Sequence, residues 1–491
     1  MIINDCKKII DSMSMNEKRY FKVFINKNIF GAQNKYLLIF DLFNNNTLVN
    51  EDLIKVEIEK HNFSSKNTSY DINYLIKIIL RSLNEFHNEK TISLKFINYI
   101  KSIEILFYKG LFDECLKLIS KAKKLNLKNE NEELTLELLN WEKKCMGYSK
   151  GFYSAMSINE KIDTYFDHIR EKKEITDLYY QSYYLKNNVG KIPNDDLLES
   201  VKTLEKSSVF KKNITKLHAI QSKIYYNLIQ ANCSNIKNET DKELIALEQT
   251  IEVFDNNSFY KEENPLDYIS IYIRIIDIYK NSDDFTFYNK IKALRNFENM
   301  LDLQKNVALE RIFFHTYQAE LEFLIFNDKI SDALQLMQTI DKNLKENKFT
   351  IEPYYFVEMY YQFACLFLAN NNLSKSLKFI NTILNEFSIE DRPKTFVKTE
   401  ILNLIIHYEL KNYKLVLNKF STLKKKYQKS FNLNEIEKKL LNTIIKLATN
   451  PYGINERVSF QKLIKKIDKI ESIDKTSSNK IYLNYINKKK N

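Results

Sequence analysis

Residues 364–383, ACLFLANNNLSKSLKFINTI, join two apolar stretches through a short polar turn. Small or apolar residues recur three or four positions apart on both sides of the turn, which is the period of an α-helix with one buried face. Asparagine tolerates the left-handed backbone conformation at a helix end, so Asn371 can replace the usual glycine. The stretch therefore predicts a helical hairpin that buries Ala364 and Phe367 before the turn and Ser376, Ile380 and Ile383 after it.

The same pattern recurs around turns that begin at Gly110, Asp328 and Lys411. Starting points at 328, 371 and 411 give spacings of 43 and 40 residues. Repeated hairpins of this length are typical of an α-solenoid, in which each hairpin packs on its neighbours. The positions equivalent to those of the first hairpin are Ile103, Leu106, Cys115, Ile119 and Ala122; Leu321, Leu324, Ala333, Met337 and Ile340; and Leu404, His407, Val416, Phe420 and Leu423.

These hairpins resemble the tetratricopeptide repeat family and its degenerate helical-hairpin relatives. The family's alanine in the second helix is kept at Ala333 and its turn glycine at Gly110. The resemblance implies an all-α fold, an α–α superhelix of about ten helical hairpins, which binds another protein or peptide. It is clearest in residues 96–130, 314–347, 357–390 and 397–430.

The composition of the whole chain favours helices. Only 6 glycines and 5 prolines occur in 491 residues, so little material exists for β-hairpin turns. Hydrophobic residues make up 44%, enough for a large core, which excludes a disordered chain. Isoleucine, lysine and asparagine dominate, as is typical of an AT-rich genome, and we interpret the chain as a bacterial protein.

We predict three regions along the chain. Residues 1–92 form a small N-terminal helical cap, residues 93–450 a helical-repeat solenoid, and residues 451–491 a basic C-terminal capping helix and tail. In the first region, helices near 35–45, 50–61 and 67–89 could form a compact three-helix unit. Their order is also compatible with a helix-turn-helix, so DNA binding by this unit stays an alternative.

Motifs for phosphate binding, metal binding and catalysis are missing from the sequence. Six glycines supply neither GxGxxG nor GxxxxGK[ST], and none of the six histidines forms HExxH. Five widely spaced cysteines argue against a disulfide framework or a zinc site. We therefore predict a protein without cofactor, metal or enzymatic activity.

The sequence begins without a signal peptide, and its apolar stretches are much shorter than the roughly 20 residues of a membrane-spanning helix. We therefore expect a cytoplasmic protein without a membrane span.

A cluster of tyrosines provides one candidate binding surface. Two tyrosine doublets, at 179–180 and 183–184, lie one helical turn apart, so their rings form two adjacent columns. Packing between hairpins explains such columns, but they could also line the groove for a peptide partner. The candidate residues are Tyr179, Tyr180, Tyr183 and Tyr184.

The positive charge is concentrated at one end of the chain. Residues 411–491 contain 20 basic and 6 acidic side chains, a net of +14, whereas the whole chain has +12. Lysine predominates there and Arg457 is the single arginine, which favours non-specific anion attraction over base reading. Lysines also form one stripe of a predicted helix over 458–470. The candidate anion-binding residues are Lys424, Lys425, Lys426, Lys462, Lys465, Lys466 and Lys469.

Two functions agree with this sequence. We expect a non-enzymatic scaffold or adaptor that mediates protein–protein interaction. The alternative is a nucleic-acid-associated or regulatory factor that binds a polyanion through residues 411–491.

Overall fold

A computed structural model gives the structure of the chain. The described residues form α-helices and contain no β-strand. Turns and three short 3-10 helices, Ser208–Lys211, Ile214–Lys216 and Glu298–Met300, connect the α-helices. They fall into two compact units, Met1–Asn264 and Pro265–Asn491. The prediction of an all-α fold is confirmed. The described ranges are 2–28, 34–46, 49–126, 131–189, 194–211, 213–280, 284–301, 306–346, 353–388, 392–427, 433–468 and 477–490.

The first unit consists of helices α1 to α14. Their bounds are Ile2–Ser12 (α1), Met15–Asn28 (α2), Lys35–Asn45 (α3), Glu51–Lys60 (α4), Thr68–His87 (α5), Ile92–Tyr108 (α6), Phe112–Asn126 (α7), Glu132–Lys150 (α8), Phe152–Met156 (α9), Asn159–Asn187 (α10), Asn194–Glu205 (α11), Ile220–Ile236 (α12), Thr240–Asp255 (α13) and Ser258–Glu263 (α14).

The second unit consists of helices α15 to α25. Their bounds are Pro265–Tyr279 (α15), Asp284–Phe297 (α16), Asn306–Phe326 (α17), Ile330–Glu346 (α18), Pro353–Ala369 (α19), Leu373–Glu386 (α20), Pro393–Glu409 (α21), Tyr413–Tyr427 (α22), Glu435–Thr449 (α23), Glu456–Ile467 (α24) and Ser477–Lys490 (α25).

The N-terminal helices α1 to α5 share one apolar core, two helices more than the predicted three-helix unit. Phe21 of α2 and Phe40 of α3 are fully buried there, with ring centroids 4.4 Å apart. Helix α2 begins at a capping box: the Ser14 amide donates to Glu17 Oε2 at 2.6 Å, and the Glu17 amide donates to Ser14 Oγ at 3.3 Å. Nothing in this core tests the predicted boundaries at 92 and 450, which stay predictions.

Helical hairpins of both units turn through a residue with positive φ. In each, this residue's amide donates to the carbonyl three residues earlier, and the next amide to the carbonyl five residues earlier. This Schellman arrangement satisfies the last carbonyls of the first helix. The predicted left-handed turn residue is thus confirmed at four turns, and a fifth is found between α12 and α13; Asn62 (62°) follows α4 with the same pair of hydrogen bonds. The residues and their φ angles are Gly110 (76°), Asn238 (59°), Asp328 (57°), Asn371 (54°) and Lys411 (60°).

The sequence pattern does not detect the fifth hairpin, α12 and α13, because polar residues stand at its buried positions. Glu243 and Thr250 take the places of a small and an apolar residue, and both are buried. Asn235 Nδ2 donates to Glu243 Oε2 at 2.8 Å, and Thr250 Oγ1 donates to the Ala246 carbonyl at 2.8 Å. Internal hydrogen bonds therefore make these polar side chains compatible with a helix–helix contact.

A small residue five positions after the turn residue lets the second helix approach the first. Ser376 Oγ donates to the Ala364 carbonyl at 2.6 Å, and Cys115 Sγ donates to the Ile103 carbonyl at 3.4 Å. Ala333 is fully buried at the equivalent position. A larger side chain at any of the three would separate the two helices.

Lys411 is the turn residue least suited to its backbone conformation. A left-handed conformation costs an ordinary L-residue about 1–2 kcal/mol, whereas glycine adopts it freely but loses more entropy on folding. We expect Lys411→Gly to stabilise the second unit by about 0.5–1 kcal/mol, seen as a higher melting temperature. Asn371→Gly is the matched control and should gain less, because asparagine tolerates this conformation. Equal shifts for the two variants would contradict this explanation.

The second unit repeats one packing scheme. The first helices of successive hairpins, α15, α17, α19, α21 and α23, each pack on the next, and the second helices α16, α18, α20 and α22 each pack on the first helix that follows. This scheme is that of an α–α superhelix. Pro265 and Pro353 are the first residues of α15 and α19, a position that suits proline because its amide would have no partner in the helix.

Candidate functional site

The last helix, α25, lies across the row of first helices instead of extending it. It packs on α23 and α24, as the next helix of the array would, but it also packs on α17, three hairpins earlier. We call the surface of α17, α19, α21 and α23 that faces α25 the inner groove. A helix that only capped the array would contact its last hairpin alone.

The face of α25 that lies in the inner groove is apolar. Two adjacent pairs of residues, four positions apart, place their side chains on one side of an α-helix. Tyr482 and Ile486 are completely buried, and Ile481 and Tyr485 are at most 8% exposed. These four side chains belong to the same core as Cys365 of α19 and residues of α21 and α23.

The polar contacts of α25 involve the C-terminal ends of three first helices and the first residue of α24. Tyr485 Oη donates to Glu409 Oε1 at 2.5 Å, where α21 ends. Lys489 Nζ lies 2.7 Å from Glu409 Oε2 and 3.2 Å from Glu456 Oε1. Burial by itself would lower the pKa of Lys489, but these two carboxylates raise it above its ordinary value. The contact therefore pairs an aromatic hydroxyl and an ammonium group with one carboxylate.

Lys488 makes the corresponding contacts at the ends of α19 and α17. Its Nζ donates to the carbonyl of Ala369, the last residue of α19, at 3.0 Å. The same Nζ lies 3.8 Å from Asp328 Oδ1, in the turn after α17. Helix C-termini carry partial negative charge and unpaired carbonyls, so this edge of the inner groove attracts cations.

A cavity of about 570 Å³ remains between α25 and the inner groove. Its walls come from α17, α19 and α21 on one side and from α25 on the other. Apolar side chains, among them Leu368 and Ile481, line much of it, and Glu409 and the two lysines of α25 supply charge. The helix therefore covers the inner groove without filling it.

Two tyrosine hydroxyls are buried beside each other in this contact, those of Tyr361 on α19 and Tyr482 on α25, and neither makes a hydrogen bond of good geometry within the described residues. Burial raises the pKa of both phenols well above the ordinary value, and the Tyr361 hydroxyl interacts weakly with the Tyr482 hydroxyl and the Cys365 thiol. An unsatisfied buried polar group costs about 1–3 kcal/mol. The fit of α25 is therefore not optimal at its most buried residue.

A second concave region of this unit, of about 250 Å³, holds charges that are paired with one another. Lys280 Nζ, one residue after the end of α15, lies 2.5 Å from Glu322 Oε2 of α17, and both side chains are about nine-tenths buried. Arg392 Nε lies 3.2 Å from Glu358 Oε1. Burial lowers the pKa of the neighbouring His315 to about 4, with help from Arg311 and Arg392, so it is neutral at pH 7. These pairs join successive first helices.

The four candidate tyrosines have two different environments in the structure. Tyr179 stacks on Tyr225 of α12 with ring centroids 4.3 Å apart, which is packing between helices. Tyr180, Tyr183 and Tyr184 are exposed on α10, by 60%, 48% and 62%. Their role in partner binding stays a prediction.

The candidate lysines lie on two helices of the second unit. Helix α24 buries Phe460, Leu463 and Ile467 and exposes Lys462, Lys465 and Lys466 on its other face, as the predicted lysine stripe requires. Lys425 is exposed on α22. The side chains of Lys424 and Lys426, and Lys469 as a whole, lie outside the described residues. Anion binding by this set stays a prediction.

Sequence reasoning missed two features. Residues 477–490, expected to belong to a tail, form α25; the signal was the pair of apolar doublets four residues apart. His168 and His218, solitary in the sequence, stack in the first unit with ring centroids 3.7 Å apart. Burial and the neighbouring His218 lower the pKa of His168. No sequence signal could have paired them, because 50 residues and several turns separate them.

Comparisons with protein families, with curated proteins and with solved structures found no match for this chain. Within the described ranges, no helix has both the length and the apolar character to cross a membrane. Nor do the residues of those ranges include a group of three or more histidine, cysteine, aspartate or glutamate side chains suited to a metal ion.

Proposed function

We propose that this chain is a non-enzymatic scaffold or adaptor that binds a helical segment of another protein in the inner groove. We further propose that it is a degenerate, lengthened relative of the tetratricopeptide repeat family in the bacterial cytoplasm. The observation that carries the proposal is the seating of α25: one amphipathic helix lies on the first helices of several hairpins, through buried aromatic and aliphatic side chains and a charged edge. Helix-in-groove binding uses this combination of apolar anchors and polar rim.

The contact has the chemistry of a binding surface as well as that of a core. Its centre is apolar, with Tyr482 and Ile486 completely buried, and its edge carries directional polar contacts to Glu409 and Ala369. Interfaces between proteins commonly combine such aromatic anchors with a polar rim. A helix of another protein could make the same contacts.

Affinity capture tests the proposal. A full-length chain with Tyr482→Ser and Tyr485→Ser, called the released variant, keeps every residue of the inner groove but loses two apolar anchors of α25. Immobilised, it should capture one protein in about equimolar amount, and a synthetic peptide of residues 477–490 should displace that protein. Glu409→Lys in the released variant should abolish the capture. If the peptide displaces no captured protein, the proposal fails.

Binding of nucleic acid is the second candidate, favoured by the exposed row of Lys462, Lys465 and Lys466 on α24. Other lysines of the basic region are less suited to it, because Lys488 and Lys489 contact carboxylates of their own unit. Replacement of the three α24 lysines by glutamate should leave peptide-displaceable capture unchanged. If the chain binds DNA or RNA in a salt-dependent manner and these replacements abolish that binding, the second function replaces the first.

A further inference from the structure

We infer that α25 is a built-in competitor for the inner groove and that the partner is a basic amphipathic helix with the side-chain pattern of α25. This inference rests on the proposed function and adds the chemistry of the partner and the means by which access is controlled. Four observations support it: the extent of the α25 contact, the charge at its edge, the imperfect fit of α25, and the side-chain spacing that the groove accepts.

The charge of the groove edge selects a basic helix. Asp328, Glu409 and Glu456 supply three carboxylates, and the C-terminus of α19 adds the carbonyl of Ala369. In α25 two successive lysines meet these groups. An acidic helix in the same orientation would place carboxylate against carboxylate, which is repulsive and poorly solvated at a partly buried site.

The spacing of the α25 contacts defines which side chains a partner helix must carry and at which positions. Counted from Ile481, the buried side chains of α25 lie at offsets 0, 1, 4 and 5, and the lysines that meet the acidic edge lie at offsets 7 and 8. Both central positions are tyrosines, and the one at offset 4, Tyr485, donates its hydroxyl to Glu409. A partner helix therefore has two apolar doublets, with tyrosine at the first position of the second doublet, followed at this spacing by two basic residues.

The imperfect fit allows another helix to replace α25. The cavity of about 570 Å³ beside α25 leaves room for larger side chains. The Tyr361 hydroxyl of the groove makes no hydrogen bond of good geometry while α25 is bound, and a partner that supplies a well-placed acceptor would remove this penalty. A better-fitting helix thus gains contacts that α25 lacks.

Because α25 is part of the same chain, it can occupy the inner groove although its fit is imperfect. A tethered segment has an effective concentration of the order of millimolar, so α25 competes strongly with any free ligand at micromolar concentration. The apparent affinity for a free helix is the intrinsic affinity multiplied by the fraction of chains in which the groove is open. Weakening α25 should therefore strengthen binding of a peptide supplied from outside, without any change in the groove.

A titration with fluorescent peptides tests this inference on full-length chains. The probe is the peptide of residues 477–490, and binding is followed by fluorescence anisotropy. We expect the released variant to bind it at least about 10-fold more tightly than the unaltered chain. The second variant, Lys489→Glu, weakens only the edge of the α25 contact and should give a smaller increase. Circular dichroism of each variant verifies that the helices are intact.

A second peptide, with Lys488→Glu and Lys489→Glu, tests the charge requirement. We expect it to bind the released variant at least about 10-fold more weakly than the first peptide, and Glu409→Lys in that variant should reduce the difference. Equal affinity of the unaltered chain and the released variant overturns the competition, and equal affinity of the two peptides overturns the basic partner; in both cases the proposed function stands. If neither peptide binds any chain, the inference and the proposed function fail together.

Discussion

Replacement of Lys280 by methionine should lower the free energy of unfolding of the second unit by about 3–5 kcal/mol, because it leaves the Glu322 carboxylate buried without its cation. The two side chains are 11% and 7% exposed, and their charged atoms are 2.5 Å apart. Asp277, at 3.4 Å from Lys280, is more than half exposed and remains hydrated. The charge of Glu322 thus depends mainly on Lys280.

The double variant Lys280→Met, Glu322→Leu is the control for this prediction. It removes both charges and fills the space with apolar groups, so most of the lost stability should return. Hydrogen exchange of the α17 amides measures the effect locally, which matters because unfolding of a chain with two units need not be two-state. A double variant as unstable as the single one would mean that the ion pair is not the cause.

From the Lys280–Glu322 pair we also predict that the second unit loses stability at alkaline pH. Burial alone would lower the pKa of Lys280, but Glu322 and Asp277 raise it above the ordinary value. A lysine with a raised pKa contributes stability that is complete below its unfolded pKa of about 10.4 and is lost as the pH rises through the folded value. In the double variant this alkaline loss should be smaller.

The second large effect is expected at Tyr482, whose replacement by alanine should detach α25 from the inner groove. A large buried aromatic side chain contributes about 3–5 kcal/mol relative to alanine. Because α25 is a terminal helix, the measured loss is limited to the free energy with which this helix docks. We expect amide exchange in α25 to accelerate by at least about 100-fold, while α6 and α7 of the first unit keep their protection.

Tyr452→Ala is the matched control, since this tyrosine is 98% exposed in the same unit. It should leave exchange in α25 unchanged. If Tyr482→Ala also leaves α25 protected, this helix does not depend on its contact with the groove, and α25 is not a helix docked there by its aromatic side chains.

The hairpins could be predicted from the sequence because their signals are local. A left-handed turn residue, a small residue five positions later and apolar residues at helical spacing all lie within about 20 residues of one another. Asp328, Asn371 and Lys411 supply the turn residue in three consecutive hairpins of the second unit. The hairpin around Asn238 shows the limit of this reasoning, because Glu243 and Thr250 are buried through hydrogen bonds that a hydrophobicity pattern does not report.

The candidate site could not be predicted in the same way, because its contacts join distant segments. Tyr485 and Glu409 are separated by 76 residues, and Lys488 and Ala369 by 119. The sequence does show the amphipathic spacing of Ile481, Tyr482, Tyr485 and Ile486. Where such a helix docks depends on the packing of several hairpins, and a run of lysines gives no information on which carboxylates it will meet.

Zero-length carbodiimide cross-linking of the full-length chain tests the central claim, that α25 occupies the inner groove, most directly. The reagent joins an amine to a carboxylate only when they are in contact, as Lys489 Nζ and Glu409 Oε2 are at 2.7 Å. Lys172 and Glu133 of the first unit, at 2.8 Å, are the control pair. A mixture of isotope-labelled and unlabelled chains separates links within one chain from links between two. The structure predicts that Lys489 is joined to Glu409 within one chain, as Lys172 is to Glu133; a sample in which the control pair is linked but Lys489 is joined to neither Glu409 nor Glu456 would contradict it.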